Sequence, residues 1–266
     1  RWPDGTRAVS ELRLSFRLSP TGLFGSLTGP RKLHIDIVDY PGEWILDLAL
    51  MGKSYAEWSA EVLARLPHRP QAAEFLAALD PVDPQAKHDE PTAQGLARAF
   101  TAYLTQARAD GWSDCTPGRF LLPGDLAGSP VLTFAPLPGT EGTRGSLWRE
   151  MSRRFEAYKS KVIRPFFETH FTRLDRQVVL IDVLEAVHRG PAALEDQRRA
   201  MAEVLAAFRP GANGFFSSLL RGKRVEKILF AATKADHLHH TQHAKLTALA
   251  EAMLRDARDR AHFSGA

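Results

Sequence analysis

Alternating apolar and polar positions predict two strands near the beginning of the chain. The first, over 9–18, places apolar side chains on one face and polar ones on the other, which is typical of a half-buried antiparallel or edge strand. The second, over 32–39, alternates and then adds Val38, so we expect it to become fully buried. A connection rich in proline and glycine joins the strands and predicts a hairpin or meander.

Apolar residues at helical spacing dominate the chain after Trp44. The predicted helices cover 44–51, 53–66, 71–79, 92–109 and 147–170. Prolines and glycines separate them, and 112–138 is rich in loops. Pro165 is expected to bend or break the last helix, because proline cannot donate the backbone hydrogen bond that a helix interior requires.

Near-continuous apolar runs predict two further strands toward the end of the chain. The run over 176–183 is typical of a central parallel strand that is covered on both faces. A polar loop, 185–191, and a helix over 192–208 are predicted to follow it. The last strand, 227–232, precedes a predicted helix over 241–260.

The order of these elements predicts an α/β fold. Apolar strands that alternate with helices favour a doubly wound, mostly parallel sheet. Roughly 130 residues separate the second strand from the third, which is far longer than an ordinary connection and indicates a subdomain. We therefore expect a core made of 1–44 and 176–266, with a mainly helical insertion at 45–175.

Composition narrows the functional class. The chain has 266 residues, 44% of them hydrophobic, and a formal net charge of +4. This mild charge suits an anionic ligand, whereas a nucleic-acid-binding protein would carry denser basic patches, so no nucleic acid is expected as a partner. The single cysteine, Cys115, fits a reducing compartment and a cytoplasmic location. No apolar run approaches the roughly 20 residues that span a bilayer.

A short basic amphipathic segment lies within 215–224. It combines phenylalanine and leucine with arginine and lysine. Such a composition suits either ordinary packing or a site for a protein partner or a membrane surface. We therefore expect at most a peripheral membrane contact, and the helical insertion is the expected site of any protein partner.

The turn after the second strand has the pattern of a nucleotide switch. Asp39 stands at the carboxyl end of the strand and Gly42 follows three residues later, as Asp-x-x-Gly. In this arrangement the carboxylate supports Mg²⁺, usually through water, and the glycine amide reaches a γ-phosphate. The sequence therefore predicts that Asp39 contributes to a metal site and Gly42 to a phosphate site.

Two nearby residues each have alternative roles. Thr6, in a loop before the first strand, is either a Mg²⁺ ligand that senses the γ-phosphate or a hydroxyl at a strand start. Glu43, directly after the glycine, either activates the attacking water or is a solvated helix-start residue stabilised by the helix dipole. A carboxylate close to phosphate is unfavourable unless a metal or a lysine compensates its charge.

Thr233-Lys234-Ala235-Asp236 follows the last strand and has the pattern of a loop that recognises guanine. Asp236 would accept two parallel hydrogen bonds from the base, which adenine cannot offer. The stem of Lys234 would lie along the base, and Thr233 would support the loop. The alternative is a surface turn, but two such patterns, each directly after a strand, favour a nucleotide site.

A cluster of histidines follows this loop. Its members are His237, His239, His240 and His243. A zinc site would need third and fourth ligands in a preformed geometry. We predict instead that the histidines form the polar loop and the first helical turn beside the base pocket.

With these residues assembled, the chain resembles the YcjX-like family of bacterial P-loop nucleoside triphosphatases, which are stress-associated proteins with GTPase-type motifs. The resemblance spans nearly the whole chain and is carried by 7–14 (RAVSELRL), 38–48 (VDYPGEWILDL), 117–127 (PGRFLLPGDLA), 175–182 (DRQVVLID) and 229–237 (LFAATKADH). It implies a P-loop GTPase-like core with a helical insertion, binding of GTP or GDP with Mg²⁺, and slow GTP hydrolysis.

The resemblance also implies roles for individual residues. It places Asp39 and Gly42 in the second switch, Thr6 in the first switch and Thr233 to Asp236 at the base. The family's first strand and phosphate-binding loop have no counterpart in 1–266, so we expect a piece of a longer protein, with most phosphate affinity and catalysis missing from this chain alone. The alternative function is a partner-binding module with a vestigial nucleotide site.

Overall fold

Two units make up the part of the chain that the structure places. The computed structural model describes residues 6, 8–18, 31–171, 174–207 and 227–263. The chain divides by its internal contacts into Arg1–Gly42 and Glu43–Ala266. The basic amphipathic segment within 215–224 lies outside the described residues.

A two-stranded antiparallel ribbon forms the first unit. β1 (Ser10–Leu18) pairs with β2 (Arg31–Asp39), with Leu14 opposite Ile35. This pairing confirms the predicted hairpin or meander. Because successive strand residues point to opposite faces, the register collects the apolar side chains of both strands on one face.

The apolar face of the ribbon is exposed, which corrects the predicted burial of both strands. Its large side chains are 37–56% exposed: Leu12, Leu14, Phe16, Leu18, Leu33, Ile35 and Ile37. Val38, where full burial was predicted, is only half-buried. A ribbon of two strands is a single layer, and a strand is buried only where a second layer packs on it.

Polar pairs hold the register on the opposite face of the ribbon. The guanidinium of Arg13 donates to both carboxylate oxygens of Asp36, at 2.5 and 2.8 Å. The hydroxyl of Ser15 lies 2.8 Å from Nδ1 of His34. Cross-strand pairs of this kind favour one register over its neighbours, because a slip of one residue would move every apolar side chain to the other face.

Helices follow, and all but α5 (Gly118–Leu121), a short turn within 112–138, lie where the apolar spacing predicts them. They are α1 (Gly42–Leu46), α2 (Tyr55–Arg65), α3 (Ala73–Leu79), α4 (Glu90–Ala109), α5 (Gly118–Leu121), α6 (Leu147–Tyr158) and α7 (Arg164–His170). Short 3₁₀ turns lie at Asp47–Gly52, Leu66–His68, Pro70–Ala72, Gly124–Leu126 and Pro130–Leu132. The predicted loop-rich character of 112–138 is confirmed.

Side-chain caps explain where the longer helices begin. Ser54 and Glu57 form a reciprocal capping box at the start of α2. Asp89 accepts the backbone N–H of Thr92 at the start of α4, at 3.0 Å. Ser146 accepts the backbone N–H of Arg149 at the start of α6, at 3.3 Å. Each cap satisfies a backbone donor that the first helical turn leaves unpaired.

An aromatic core joins these helices. Trp58 of α2 is 1% exposed and stacks on Phe155 of α6, with ring centroids 5.0 Å apart. Phe100 of α4 meets the same indole edge-on at 5.9 Å, and Phe134 does so at 5.6 Å. Aromatic pairs at these separations add to the burial energy of the rings. The helical region is therefore organised around Trp58.

The helix predicted over 147–170 is interrupted by a widened turn just before Pro165. Lys159–Ile163 is a π-helical turn between α6 and α7, and the N–H of Arg164 donates to the carbonyl of Lys159, five residues earlier. Proline lacks the N–H that an α-helix would use at its position. The predicted interruption therefore takes the form of a π turn, which adds one residue to the helix.

A parallel strand pair with helices on one face completes the second unit. β3 (Arg176–Ile181) pairs with β4 (Lys227–Ala232). The flanking helices are α8 (Val183–Arg189), α9 (Pro191–Ala207) and α10 (His243–Phe263). Ile181, Val183, Met201, Leu246 and Met253 form the buried cluster between strands and helices. The structure thus confirms a mixed α/β chain that includes a parallel pair.

The opposite face of this pair is open, so the predicted cover on both faces of β3 is wrong for the described residues. Val178, Leu180 and Leu229 are 58%, 69% and 60% exposed. The described strands pair as two sheets of two strands each. A single doubly wound sheet, and the division into 1–44, 45–175 and 176–266, stay predictions.

The segment predicted as a polar loop over 185–191 is largely helical. The carboxylate of Asp182 accepts the backbone N–H of Glu185 at 3.0 Å and so caps α8. Arg189 pairs with Glu185 one turn earlier, at 2.6 Å. Gly190 then adopts φ 99°, which ends the helix. An acceptor three residues before a glutamate was the sequence signal for this helix start.

Candidate functional site

Thr233 anchors the loop after β4 to the neighbouring strand. Its backbone N–H donates to the carbonyl of Ile181 at 2.8 Å, and its hydroxyl lies 3.2 Å from the same oxygen. Ile181 is the last residue of β3. The loop therefore starts at the carboxyl edge of the parallel pair, as predicted, and this is the edge where open α/β sheets bind their ligands.

Lys234 has the least common backbone conformation in the loop. With φ 57° and ψ 25° it is left-handed, and among the described residues it is the only non-glycine with positive φ. Its ammonium lies 2.5 Å from the carboxylate of Asp182 at the end of β3, and this hydrogen bond raises the pKa of Lys234. A strained backbone at a strand end is more often found at binding sites than elsewhere.

Asp236 lies in a single 3₁₀ turn, Ala235–His237, that follows Lys234. The backbone N–H groups of His237 and Leu238 close this turn on the carbonyls of Lys234 and Ala235, each at 3.0 Å. The side chain of Asp236 is exposed, and within the described parts of the chain its carboxylate has no hydrogen-bonding partner. Both of its oxygens are therefore free to accept hydrogen bonds from a ligand.

The two predicted metal ligands lie together in the first unit. The hydroxyl of Thr6 donates to the carboxylate of Asp39 at 2.7 Å. A hydroxyl and a carboxylate are the hard oxygen ligands that Mg²⁺ prefers, so the residues present fit this metal. Across the described residues, no three His, Cys, Asp or Glu side chains are grouped so that they could hold a metal ion.

Gly42 opens α1 without a steric reason to be glycine. Its φ is not positive, and beyond its chain neighbours and its own helical backbone a methyl group added there would meet no described heavy atom within 4 Å. An alanine at this position would be the better helix former. The structure therefore leaves room above Gly42 for a ligand to approach the backbone.

Glu43 is paired with an arginine of the helical region. Its carboxylate accepts a hydrogen bond from Nε of Arg108 on α4, at 3.0 Å. The side chain of Glu43 is 17% exposed and that of Arg108 is 50% exposed. The sequence gives no signal for Arg108, because no local pattern links residues that are 65 positions apart.

A buried carboxylate fixes the chain beyond Glu43. Asp47 is 2% exposed and accepts hydrogen bonds from the N–H of Gly118, at 2.7 Å, and from the hydroxyl of Tyr158, at 2.5 Å. Burial raises the pKa of Asp47 to about 6, although both hydrogen bonds favour the ionised form. A Cβ on Gly118 would lie 2.0 Å from the carbonyl oxygen of Glu43.

Trp44 is enclosed by the same segment. Its indole N–H donates to the carbonyl of Leu122 at 3.0 Å. The guanidinium of Arg119 lies over its ring, 3.2 Å from the centroid, and Phe166 meets it edge-on at 5.4 Å. Residues 43–47 are therefore held by the 117–122 segment and by the helix that carries Tyr158 and Phe166.

The predicted site residues fall into two groups, one in each unit. Thr6, Asp39 and Gly42 belong to the first unit. Glu43 belongs to the second unit, and so does the loop from Thr233 to Asp236. In the described part of the chain, none of the helices combines the length and hydropathy needed to cross a bilayer.

Comparison with known proteins identifies the family. A family model described as the YcjX-like family, DUF463, matches residues 1–266, and the chain belongs to this family. It is 37% identical over 279 residues to the Ras-like GTPase YcjX of Escherichia coli (strain K12), covering 99% of this chain and 59% of that protein. The Ras-like GTPase YcjX of Shewanella oneidensis is 34% identical over 278 residues, with 99% and 57% covered. The chain thus spans less than two thirds of the length of these relatives.

Proposed function

We propose that the protein binds GTP and GDP together with Mg²⁺ and hydrolyses GTP slowly, as a nucleotide-dependent switch. The observation that carries the proposal is the loop after β4, where Lys234 is left-handed and paired with Asp182 while the carboxylate of Asp236 is exposed. The names of both relatives, Ras-like GTPase, support the same class of reaction.

The proposed selectivity for guanine rests on the chemistry of Asp236. An exposed carboxylate with two free oxygens can accept the N1–H and the exocyclic amine of guanine at the same time. Adenine has neither donor at these positions, so its binding would leave the carboxylate unpaired and desolvated. Lys234, held at the strand ends by Asp182, would lie along the face of the base.

The metal and the terminal phosphate are proposed to bind near Asp39. Mg²⁺, when bound, neutralises charge on the terminal phosphates. Thr6 and Asp39, 2.7 Å apart, would hold it directly or through water. Gly42 would present its backbone N–H to the γ-phosphate, and the free space above its Cα permits that approach.

Glu43 is proposed to accept a proton from the attacking water or to orient that water. Its pairing with Arg108 supports this role, because a nearby cation lowers the cost of placing a carboxylate close to phosphate. The arginine would also fix the direction of the carboxylate. Arg108 would therefore compensate the charge of Glu43, a role for which the sequence suggested only a metal or a lysine.

Replacing Glu43 with glutamine is expected to slow GTP hydrolysis by roughly 100-fold, because the side chain keeps its shape but cannot take up a proton. GDP affinity should change by less than about twofold, since Glu43 does not contact the base or the β-phosphate in this proposal. Single-turnover hydrolysis and a GDP titration would be measured in the same preparation of the full-length protein. Glu61→Gln, which alters another ion-paired carboxylate, is the matched control. Equal losses of turnover and binding would show that Glu43 is structural.

Titration calorimetry with GDP and then with ATP, each with Mg²⁺, tests the proposed function on the full-length protein. We expect saturable binding of GDP and no binding of ATP at the same concentrations. Binding of both nucleotides alike would remove the case for Asp236 as a guanine reader. Binding of neither would favour the alternative, a partner-binding module with a vestigial nucleotide site.

A further inference from the structure

We propose that His243 is a positioning residue for base recognition, which holds the turn that presents Asp236. The inference rests on the proposed function and adds a residue to it. His243 is the first residue of α10 and lies seven positions beyond Asp236, outside the Thr-Lys-x-Asp pattern. Its ring reaches back to the loop that carries the carboxylate.

One ring nitrogen of His243 contacts two backbone carbonyls of this loop. Nε2 of His243 lies 2.9 Å from the carbonyl oxygen of Ala235 and 3.3 Å from that of Leu238. Carbonyl oxygens only accept hydrogen bonds, so Nε2 must carry the proton and act as the donor. The two carbonyls belong to residues on either side of Asp236. The histidine therefore clamps the backbone around the carboxylate.

The hydrogen bonds of His243 give the turn a second anchor, which its own backbone hydrogen bonds do not provide. The turn is a single 3₁₀ turn on the surface, closed by two backbone hydrogen bonds at 3.0 Å. One end of the loop is anchored where Thr233 bonds to Ile181, and His243 anchors the other end. Two parallel hydrogen bonds to a base tolerate little displacement of the accepting carboxylate, so a turn that is free at one end would bind guanine less selectively.

Neighbouring histidines do not make this contact within the described residues. Nδ1 of His239 lies 2.9 Å from the hydroxyl of Thr241, which is local to its own turn. The ring of His240 packs on that of His239, with centroids 4.2 Å apart. The cluster therefore contains one residue that spans from helix to loop and others that serve as controls.

Substitutions at His243 that keep or lose the donor test the proposal. Glutamine places a side-chain N–H as many bonds from Cα as Nε2 of histidine, whereas asparagine is one bond shorter and cannot reach. Affinities for GDP and for IDP, which lacks the exocyclic amine, would be measured in the full-length protein. We expect His243→Ala and His243→Asn to weaken GDP binding about fivefold to tenfold and to bring the IDP-to-GDP ratio of Kd values toward one. His243→Gln and His240→Ala should keep the wild-type ratio.

The outcomes distinguish the positioning role of His243 from the proposed function. A wild-type ratio of Kd values in His243→Asn would overturn the positioning role. If that ratio is kept while both affinities and the melting temperature fall, the substitution has only destabilised the protein generally. The Gln and Asn pair decides the question even if the alanine variant does not fold. If the wild-type protein does not prefer GDP over IDP, the proposal that Asp236 recognises guanine is wrong. This result is obtained before any variant is made.

Discussion

Asp236→Ala is expected to abolish the preference for guanine over adenine nucleotides. Charge-assisted hydrogen bonds contribute more than neutral ones, so loss of two should weaken GDP binding on the order of 10²–10⁴-fold. ADP affinity should stay at its low level or rise slightly, because adenine no longer buries an unpaired carboxylate. Competition titrations with GDP and ADP would measure both affinities.

The control for this experiment lies in the same turn. His237 is exposed and holds the turn through its backbone N–H, so His237→Ala should keep wild-type discrimination. Asp236→Asn preserves the size of the side chain but replaces one acceptor with a donor, and it should lose GDP affinity nearly as strongly as alanine. Discrimination that survives in both Asp236 variants would contradict the assignment of this residue to the base.

Gly118→Ala is expected to destabilise the protein by about 3 kcal/mol, whereas Gly42→Ala should leave its stability within about 0.5 kcal/mol of wild type. At Gly118 the new methyl group would lie 2.0 Å from the carbonyl oxygen of Glu43, and this atom belongs to rigid backbone. The backbone must then separate and weaken the hydrogen bond from Gly118 to Asp47. At Gly42 no described atom outside its chain neighbours and its own helical backbone lies within 4 Å of the added group. Denaturant unfolding would measure both variants.

Nucleotide measurements on Gly42→Ala test the proposed phosphate role of this glycine. Gly42→Ala should keep GDP affinity but lose most GTP hydrolysis, because its methyl group would occupy the space proposed for the γ-phosphate. Wild-type turnover in Gly42→Ala would contradict the phosphate role of this glycine. A Gly118→Ala protein with the wild-type unfolding midpoint would show that the close approach to Glu43 does not constrain the fold.

Local signals explain why the helices were predictable. Apolar spacing marked α2, α4 and α6, and caps such as Ser54 and Asp89 mark where helices begin. Burial of the strands was not predictable in the same way. Leu180 lies in a strongly apolar run and Ile35 on the apolar face of an alternating strand, yet both are exposed. Burial depends on a second layer that a strand's own sequence does not contain.

The same distinction between local and long-range signals applies to the candidate site. The loop from Thr233 to Asp236 could be placed after its strand from sequence, because the pattern is contiguous, and its role at the base stays a prediction. Arg108 and His243 could not, since their roles depend on contacts made after folding, across 65 residues in the first case and from helix to loop in the second. The capping signal before α8 was present in the sequence, but the polar composition of 185–191 concealed it.

The π turn at Lys159–Ile163 sets the phase of the helix that contains it. In an uninterrupted α-helix, Phe166 would follow Phe155 by about three turns and lie on nearly the same side. One extra residue in a single turn rotates everything beyond it by roughly a quarter turn. Phe155 therefore stacks on Trp58, while Phe166 meets Trp44, the residue after Glu43. Helical phase, more than helix length, decides which aromatic ring lies against Trp44.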